Sequence, residues 1–361
     1  MPGRPVAILQ DGLAICHQVL NLQFGFILNK NKNETMRKKA YFSAFMLVFT
    51  LSAFAQNPKV GVMVLAHGGS PEWNQMIVDA TKGISSQYPT DIAFGMALPR
   101  TMQASIDKLE ARGVEKIVVV PLFISSHSFI IRQSEYLLGI REELADPPLV
   151  MDHSMEPPAD PHAQDPGSIG HAMGHHPAPA PASGHGMHNQ KPTLDRLKTN
   201  AKIIFTKPLD DHPIVANIIY QRIQELSKNP SNEVVVLVGH GPNGEEDNRR
   251  WVADMESVSD QVRALQKKSG KMSKMIFAVT VRDDADPAIY NLAKENLRNL
   301  VAQGSRQGDV IVVPLFLSSG GAERDVVSRL VGLTYWWNGH TLLPDPGISD
   351  FITQSVAQSL K

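Results

Sequence analysis

Two pairs of apolar runs, occurring in the same order in each half of the chain, limit what it can fold into. Lys59-Val60-Gly61-Val62-Met63-Val64-Leu65-Ala66-His67-Gly68-Gly69 ends on His-Gly, and so does Glu233-Val234-Val235-Val236-Leu237-Val238-Gly239-His240-Gly241-Pro242. Farther on, Lys116-Ile117-Val118-Val119-Val120-Pro121-Leu122-Phe123-Ile124-Ser125-Ser126 is mirrored by Asp309-Val310-Ile311-Val312-Val313-Pro314-Leu315-Phe316-Leu317-Ser318-Ser319. These runs are apolar at successive rather than alternate positions. That pattern suits strands covered on both faces, as in a parallel sheet. The repeated order reads as an internal duplication.

Between the landmarks the periodicity is helical. Met102 to Arg112 puts Ile106 and Leu109 on one face and stops at Gly113. Pro287 to Ala302 does the same with Ile289, Leu292, Ala293, Leu297, Leu300 and Val301. Strand–helix–strand alternation predicts an α/β protein of two similar, flavodoxin-like lobes, each a parallel sheet flanked by helices, with a cleft between them. The first lobe spans 59–150. Residues 191–228 complete it with a strand-like stretch, Ala201 to Leu209, and a helix, Ile214 to Lys228. The second lobe spans 229–361 and closes on a helix from Ile348 to Leu360. Ligands bind such sheets beyond the carboxyl ends of the strands. Both His-Gly pairs and both Ser-Ser ends fall there.

Two segments stand outside this pattern. Met36-Arg37-Lys38-Lys39, an apolar run from Ala40 to Phe54, and Ala53-Phe54-Ala55 form the three parts of a secretory signal peptide over 36–55. The run is too short for a comfortable membrane span, so the expectation is cleavage after Ala55, a periplasmic or otherwise exported protein, and no stable membrane insertion afterwards. An uncleaved anchor is the other reading. Residues 1–35 read as an upstream extension, with Met36 as the natural start. Residues 151–190 are rich in Pro, Ala, Gly and His and lack Phe, Tyr, Trp, Val and Leu, so they cannot form a core and are expected to be a mobile insert. Within it His153, His162, His171, His175, His176, His185 and His188 are interleaved with Met151, Met155, Met173 and Met187. Such a mixture makes a loose, exchangeable site for soft or borderline metals, a store that feeds the cleft. A plain polar linker is the alternative.

Composition removes several functions. Thirty-five basic against 36 acidic residues give no electrostatic reason for a nucleic-acid partner, and no stripe of Arg and Lys alternates with aromatics. No glycine loop of the phosphate-binding kind is present, so neither a nucleotide nor another organic cofactor is expected. The only cysteine, Cys16, lies ahead of the signal peptide, so any metal must be held by His, Asp, Glu or Met.

His67 ends the first strand and His127 follows the Pro121-Leu122-Phe123 strand. Parallel topology brings both to one rim of the sheet, where two imidazoles suit a transient divalent metal and accept Fe, Co, Ni and Zn alike. A single rim histidine more often caps a loop, but two at such positions favour the metal reading. His240 repeats His67. Gly320-Gly321 stand where a partner of His127 would be, so His240 is read as structural or substrate-contacting rather than as a ligand.

The Ala66-His67-Gly68-Gly69 strand end, the Val120-Pro121-Leu122-Phe123 strand with His127 beyond it, and the Pro208-Leu209-Asp210-Asp211-His212-Pro213 turn together resemble the CbiX-type sirohydrochlorin chelatases of the class II, ATP-independent group. The resemblance covers residues 59–361 apart from the His-rich insert and matches the long, two-lobed members. It implies a metal-chelating lyase with its active site between the lobes. His67 and His127 would be both metal-binding and catalytic, and the substrates would be a sirohydrochlorin-like tetrapyrrole and a divalent ion, Co²⁺, Fe²⁺ or Ni²⁺. Such rings carry many carboxylates, so Arg132, Arg100 and Asn248-Arg249-Arg250 are candidate ring contacts, or else solvated surface charge, and Ser125, Ser126 and His240 are further candidates. Glu135 and Glu245-Glu246-Asp247 are candidates to assist proton removal, or ordinary surface acids. Two rivals remain: a periplasmic metal-binding protein, or a tetrapyrrole carrier, on the same fold.

Overall fold

The computed structural model describes residues 59–144 and 194–361. The first sheet holds four parallel strands in the order β2-β1-β3-β4, with β1 Val60–Ala66, β2 Thr90–Phe94, β3 Lys116–Leu122 and β4 Lys202–Phe205. The second has three in the order β6-β5-β7, with β5 Glu233–Gly239, β6 Met275–Thr280 and β7 Asp309–Leu315, all parallel. Trp336 bridges Ile311 in parallel beyond β7, where β4 lies beyond β3 in the first sheet. The central strands are buried along almost their whole length, as their unbroken apolar runs require.

Eight α-helices accompany these strands among the described residues. They are α1 Pro71–Ser85, α2 Pro99–Ala111, α3 Phe129–Leu137, α4 Pro213–Leu226, α5 Glu245–Ser269, α6 Pro287–Ser305, α7 Gly321–Arg329 and α8 Gly347–Ser359. Local chemistry sets their ends. Proline stands in the first turn of α1, α2, α4 and α6, where its missing N–H costs nothing. Ser70 and Ser128 cap α1 and α3 with their hydroxyls. The 25-residue α5 starts on Glu245, Glu246 and Asp247 and ends on Lys267 and Lys268, charges that oppose the helix dipole at both ends. Gly270, at φ 71°, then turns the chain out of it.

The packing is a five-layer stack. One apolar core joins the facing sides of both sheets (Val62, Val64, Val118 and Val120 from one, Val235, Leu237, Ile311 and Val313 from the other) through α1, α4, α5 and α8. A second core lies between the outer side of the first sheet and α2 and α3, and a third between the outer side of the second sheet and α6 and α7. The last helix after each sheet is exchanged between the two. Helix α4 leaves the first sheet to pack on α5 and β7, while α8, at the end of the chain, packs on α1 and β3. The turns leading into these two helices are alike. Leu209 and Asp210 donate backbone N–H bonds to the carbonyls of Phe123 and Ile124, as Leu342 and Leu343 do to Phe316 and Leu317.

The chain returns from residues 145–193 at a tied base. Leu197 N–H donates to the Leu137 carbonyl (2.8 Å), Arg196 pairs with Glu142 (2.8 Å), and Gln103 bonds both the N–H and the C=O of Lys198. Glu110 accepts from Thr199 Oγ1 and from the N–H groups of Asn200 and Ala201. The segment between these ends, with the seven histidines of the insert, lies outside the described residues, as do the signal peptide and Cys16. No helix among the described residues is long and apolar enough to cross a membrane.

Candidate active site at the strand ends

His67 is the first residue beyond β1 and is exposed. Its Nδ1 sits 2.6 Å from the carbonyl oxygen of Gly68, which Gly68 turns into reach with φ 80°. A carbonyl only accepts, so Nδ1 carries the proton and Nε2 presents its lone pair outward. The His-Gly pair thus fixes which ring nitrogen carries the proton. The Trp73 ring lies 6.4 Å away on the first turn of α1.

His127 lies in the loop between β3 and α3, on the rim that His67 also occupies. The serines ahead of it shape that loop. His127 N–H donates to Ser125 Oγ (3.0 Å), while the N–H and hydroxyl of Ser126 both donate to Asp210 (2.6 Å each). Ser125 is buried. The two serines read from sequence as ring contacts are thus committed to holding the backbone that carries His127.

The imidazole of His127 faces the second lobe. Its Nε2 is 3.6 Å from Oδ2 of Asp254 on α5, and that oxygen is buried without a hydrogen-bond partner. Burial, and then repulsion from Asp210, push the Asp254 carboxyl from 3.8 to about 6, against a smaller opposing pull from His127. One helical turn beyond His127, Arg132 forms a two-pronged pair with Asp247 of α5 (3.0 and 2.8 Å). Asp211 accepts from Ser257 Oγ, also on α5 (2.7 Å). The first-lobe rim is therefore clasped to α5 at three points, and Arg132 binds a carboxylate of its own chain. Arg249 and Arg250 both pair with Glu246 on their own helix, and Glu135 pairs with Arg141.

In the second lobe His240 repeats the geometry of His67. Its Nδ1 is 2.9 Å from the Gly241 carbonyl, and Gly241 has φ 76°. Its Nε2 is 3.1 Å from Asp283 Oδ1, just past β6, with Asp284 adjacent. These aspartates were not singled out from sequence. The available signal was an Asp-Asp pair closing an apolar run, the place where a strand of a parallel sheet ends at a ligand rim.

Residues 61–142 match the CbiX family model, a segment that contains both His67 and His127. That segment is 82 of the chain's 361 residues. A curated sirohydrochlorin cobaltochelatase of Methanothermobacter thermautotrophicus is 30% identical over 89 residues, which are 24% of this chain and 62% of that protein. The chain thus spans somewhat under two thirds of that relative's length. The sirohydrochlorin chelatase SirB of Bacillus subtilis subspecies spizizenii, in complex with cobalt, superposes with a TM-score of 0.50 at 13% identity over 83% of this chain and 95% of that one. SirB from Bacillus subtilis with Fe³⁺ gives 0.50 at 15% identity over the same shares. At these identities the SirB likeness is one of fold, and it agrees with the two-sheet α/β architecture. The matched segment holds His67 and His127, and the C-terminal lobe supplies Asp254, which faces His127.

Proposed function

We propose that this chain is an exported chelatase that inserts a divalent metal, Co²⁺ or Fe²⁺, into a sirohydrochlorin-type tetrapyrrole without a nucleotide. The observation that carries this reading is the placement of His67 and His127 within the segment that matches the CbiX family model, on one rim, with His67 Nε2 left free for a metal by the bond at Nδ1. The incoming ion is a substrate. The imidazoles hold it, two pyrrole N–H protons leave as the metal enters, and Asp254 stands beside His127 on the opposite lobe as an acceptor whose Oδ2 is buried. The signal-peptide pattern of 36–55 supports export.

The two sheets, with equivalent order and equivalent turns into α4 and α8, support a duplicated origin. The His-rich stretch is proposed as a metal store. The described chain leaves and returns at the far end of α3, a nine-residue helix about 13.5 Å long whose other end starts at the His127 loop.

The test is visible absorbance of the purified mature protein mixed with sirohydrochlorin and Co²⁺, then Fe²⁺ without oxygen. Free-base bands should convert to metallated ones, with a rate that drops roughly 100-fold or more in His67→Ala and in His127→Ala. Undiminished turnover in a folded double variant refutes the site. A ring bound but never metallated indicates a carrier. Metal uptake without ring binding, lost on deleting 151–190, indicates a metal buffer.

A further inference from the structure

The second lobe lacks a counterpart of His127, yet it is not inert. The geometry points to a second divalent-metal site, built by His240, Asp283 and Asp284 and independent of the His67/His127 pair. One ligand atom from each of the three residues lies within 4.8 Å of the others. A small divalent ion about 2.1 Å from each donor needs them within roughly 4 Å, so modest side-chain rotation closes the set.

Three observations beyond proximity show that this site is built. The first is tautomeric. With Nδ1 donating to the Gly241 carbonyl, His240 aims Nε2 at Asp283 Oδ1, an oxygen that is buried and has no hydrogen-bond partner. An imidazole lone pair facing a buried carboxylate oxygen at 3.1 Å requires a cation between them, either a proton or a metal. The second is the clamp around it. Arg282, itself buried, donates to the carbonyls of Pro242 (3.0 Å) and Asn243 (2.5 Å) and pairs with Glu245 (2.8 Å). It rivets the loop after His240 to the loop that carries Asp283. The third is the fit of the two loops. A Cβ on Gly241 would lie 2.4 Å from Thr280 Cβ, so the backbones approach as closely as glycine allows.

The buttress extends one layer deeper. Arg329 is fully buried, donates to the Val281 carbonyl (2.5 Å), pairs with Asp325 and stacks on Tyr290 at 3.9 Å. Charged groups on both sides therefore fix the end of β6.

One imidazole and two carboxylates form a harder ligand set than two imidazoles. The second site accordingly favours oxygen-seeking divalent ions, with Mn²⁺ the natural probe and Fe²⁺ and Co²⁺ also accepted, whereas the His/Met-rich segment favours softer ones. In this arrangement each lobe of one chain offers a metal position at the carboxyl end of its first strand, with different donors.

The experiment is Mn²⁺ titration of the whole mature protein, followed by loss of the free-ion electron paramagnetic resonance signal. Wild type and the His67→Ala, His127→Ala double variant should each show one site in common. Asp283→Asn and Asp284→Asn together should weaken it at least tenfold, since loss of groups that only orient ligands already costs about 10–100-fold. His240→Ala should weaken it likewise. Melting with and without Mn²⁺ is the folding control: wild type should be stabilised by the ion, and a folded Asp283→Asn variant should not. Unchanged Mn²⁺ affinity and stabilisation in the folded aspartate variants overturn the proposal. So does a common site that disappears with His67 and His127.

Discussion

Asp254→Asn removes a charge that the fold holds at a cost. The carboxyl is pushed from 3.8 to about 6, first by burial and then by Asp210, and attraction to His127 recovers only part of this. At about 1.36 kcal/mol per pH unit, that difference is about 3 kcal/mol of destabilisation above pH 6. The side chain is 25% exposed, so solvent screening reduces the usable figure to about 1–2 kcal/mol. The sign follows from proton counting. Between pH 3.8 and about 6 the unfolded chain has lost the proton and the folded one still keeps it, so stability falls as pH rises through this window. Below it both states are protonated and the deficit disappears. Asparagine keeps the shape and removes the charge. In metal-free buffer at pH 8 the variant should therefore melt roughly 2–6 °C above wild type, and the gain should shrink towards zero as the pH is lowered to about 4. Differential scanning calorimetry across that range reads both trends. A lower melting temperature at pH 8, or a gain that does not depend on pH, refutes the reasoning.

Four further outcomes follow from the same geometry. A double-mutant cycle on Arg132→Ala and Asp247→Ala should give a coupling of about 1 kcal/mol that weakens in high salt, read by urea denaturation. Gly241→Ala should cost roughly 2–4 kcal/mol, because strain at φ 76° adds to the clash with Thr280. Gly270→Ala, at φ 71° with nothing within 4 Å, should cost only about 1 kcal/mol. His212 accepts the Ile214 N–H at Nδ1, and burial lowers its pKa below 6.5, so only the unfolded state gains a proton as pH falls through 6.5. His212→Asn, which can still cap α4, should flatten the loss of stability between pH 7 and 5.5, and an unchanged slope in urea midpoints counts against the assignment. Deleting residues 151–190 should leave the melting temperature within about 2 °C of wild type, because the ends of the segment are already tied through Leu137, Glu142, Gln103 and Glu110.

The sequence was most legible where burial is most uniform. Strands β1, β3, β5 and β7 announce themselves because both faces are covered, and β1 and β5 carry His67 and His240 on their ends. The flanking strands β2 and β6 are only partly buried and do not stand out as unbroken apolar runs. Helix α5 was also hidden. Its exposed face makes it read as a run of charge, and only the structure shows that Asp247 and Asp254 on it reach Arg132 and His127. Such pairs leave no periodic trace, since they join residues more than a hundred positions apart. The partners of the candidate ring contacts were likewise not read: Arg132 pairs with Asp247, Ser125 accepts from the His127 N–H, and Ser126 donates to Asp210.

The exchange of α4 and α8 has a consequence for biogenesis. The first sheet is covered on its inner face by α8, a helix that lies more than two hundred positions downstream of β1 and β3. A nascent chain released before α8 is made therefore displays an uncovered apolar sheet even when residues 61–142 are complete. Docking of α8 is therefore a late step, and the first lobe stays incomplete until the strands of the second have been made.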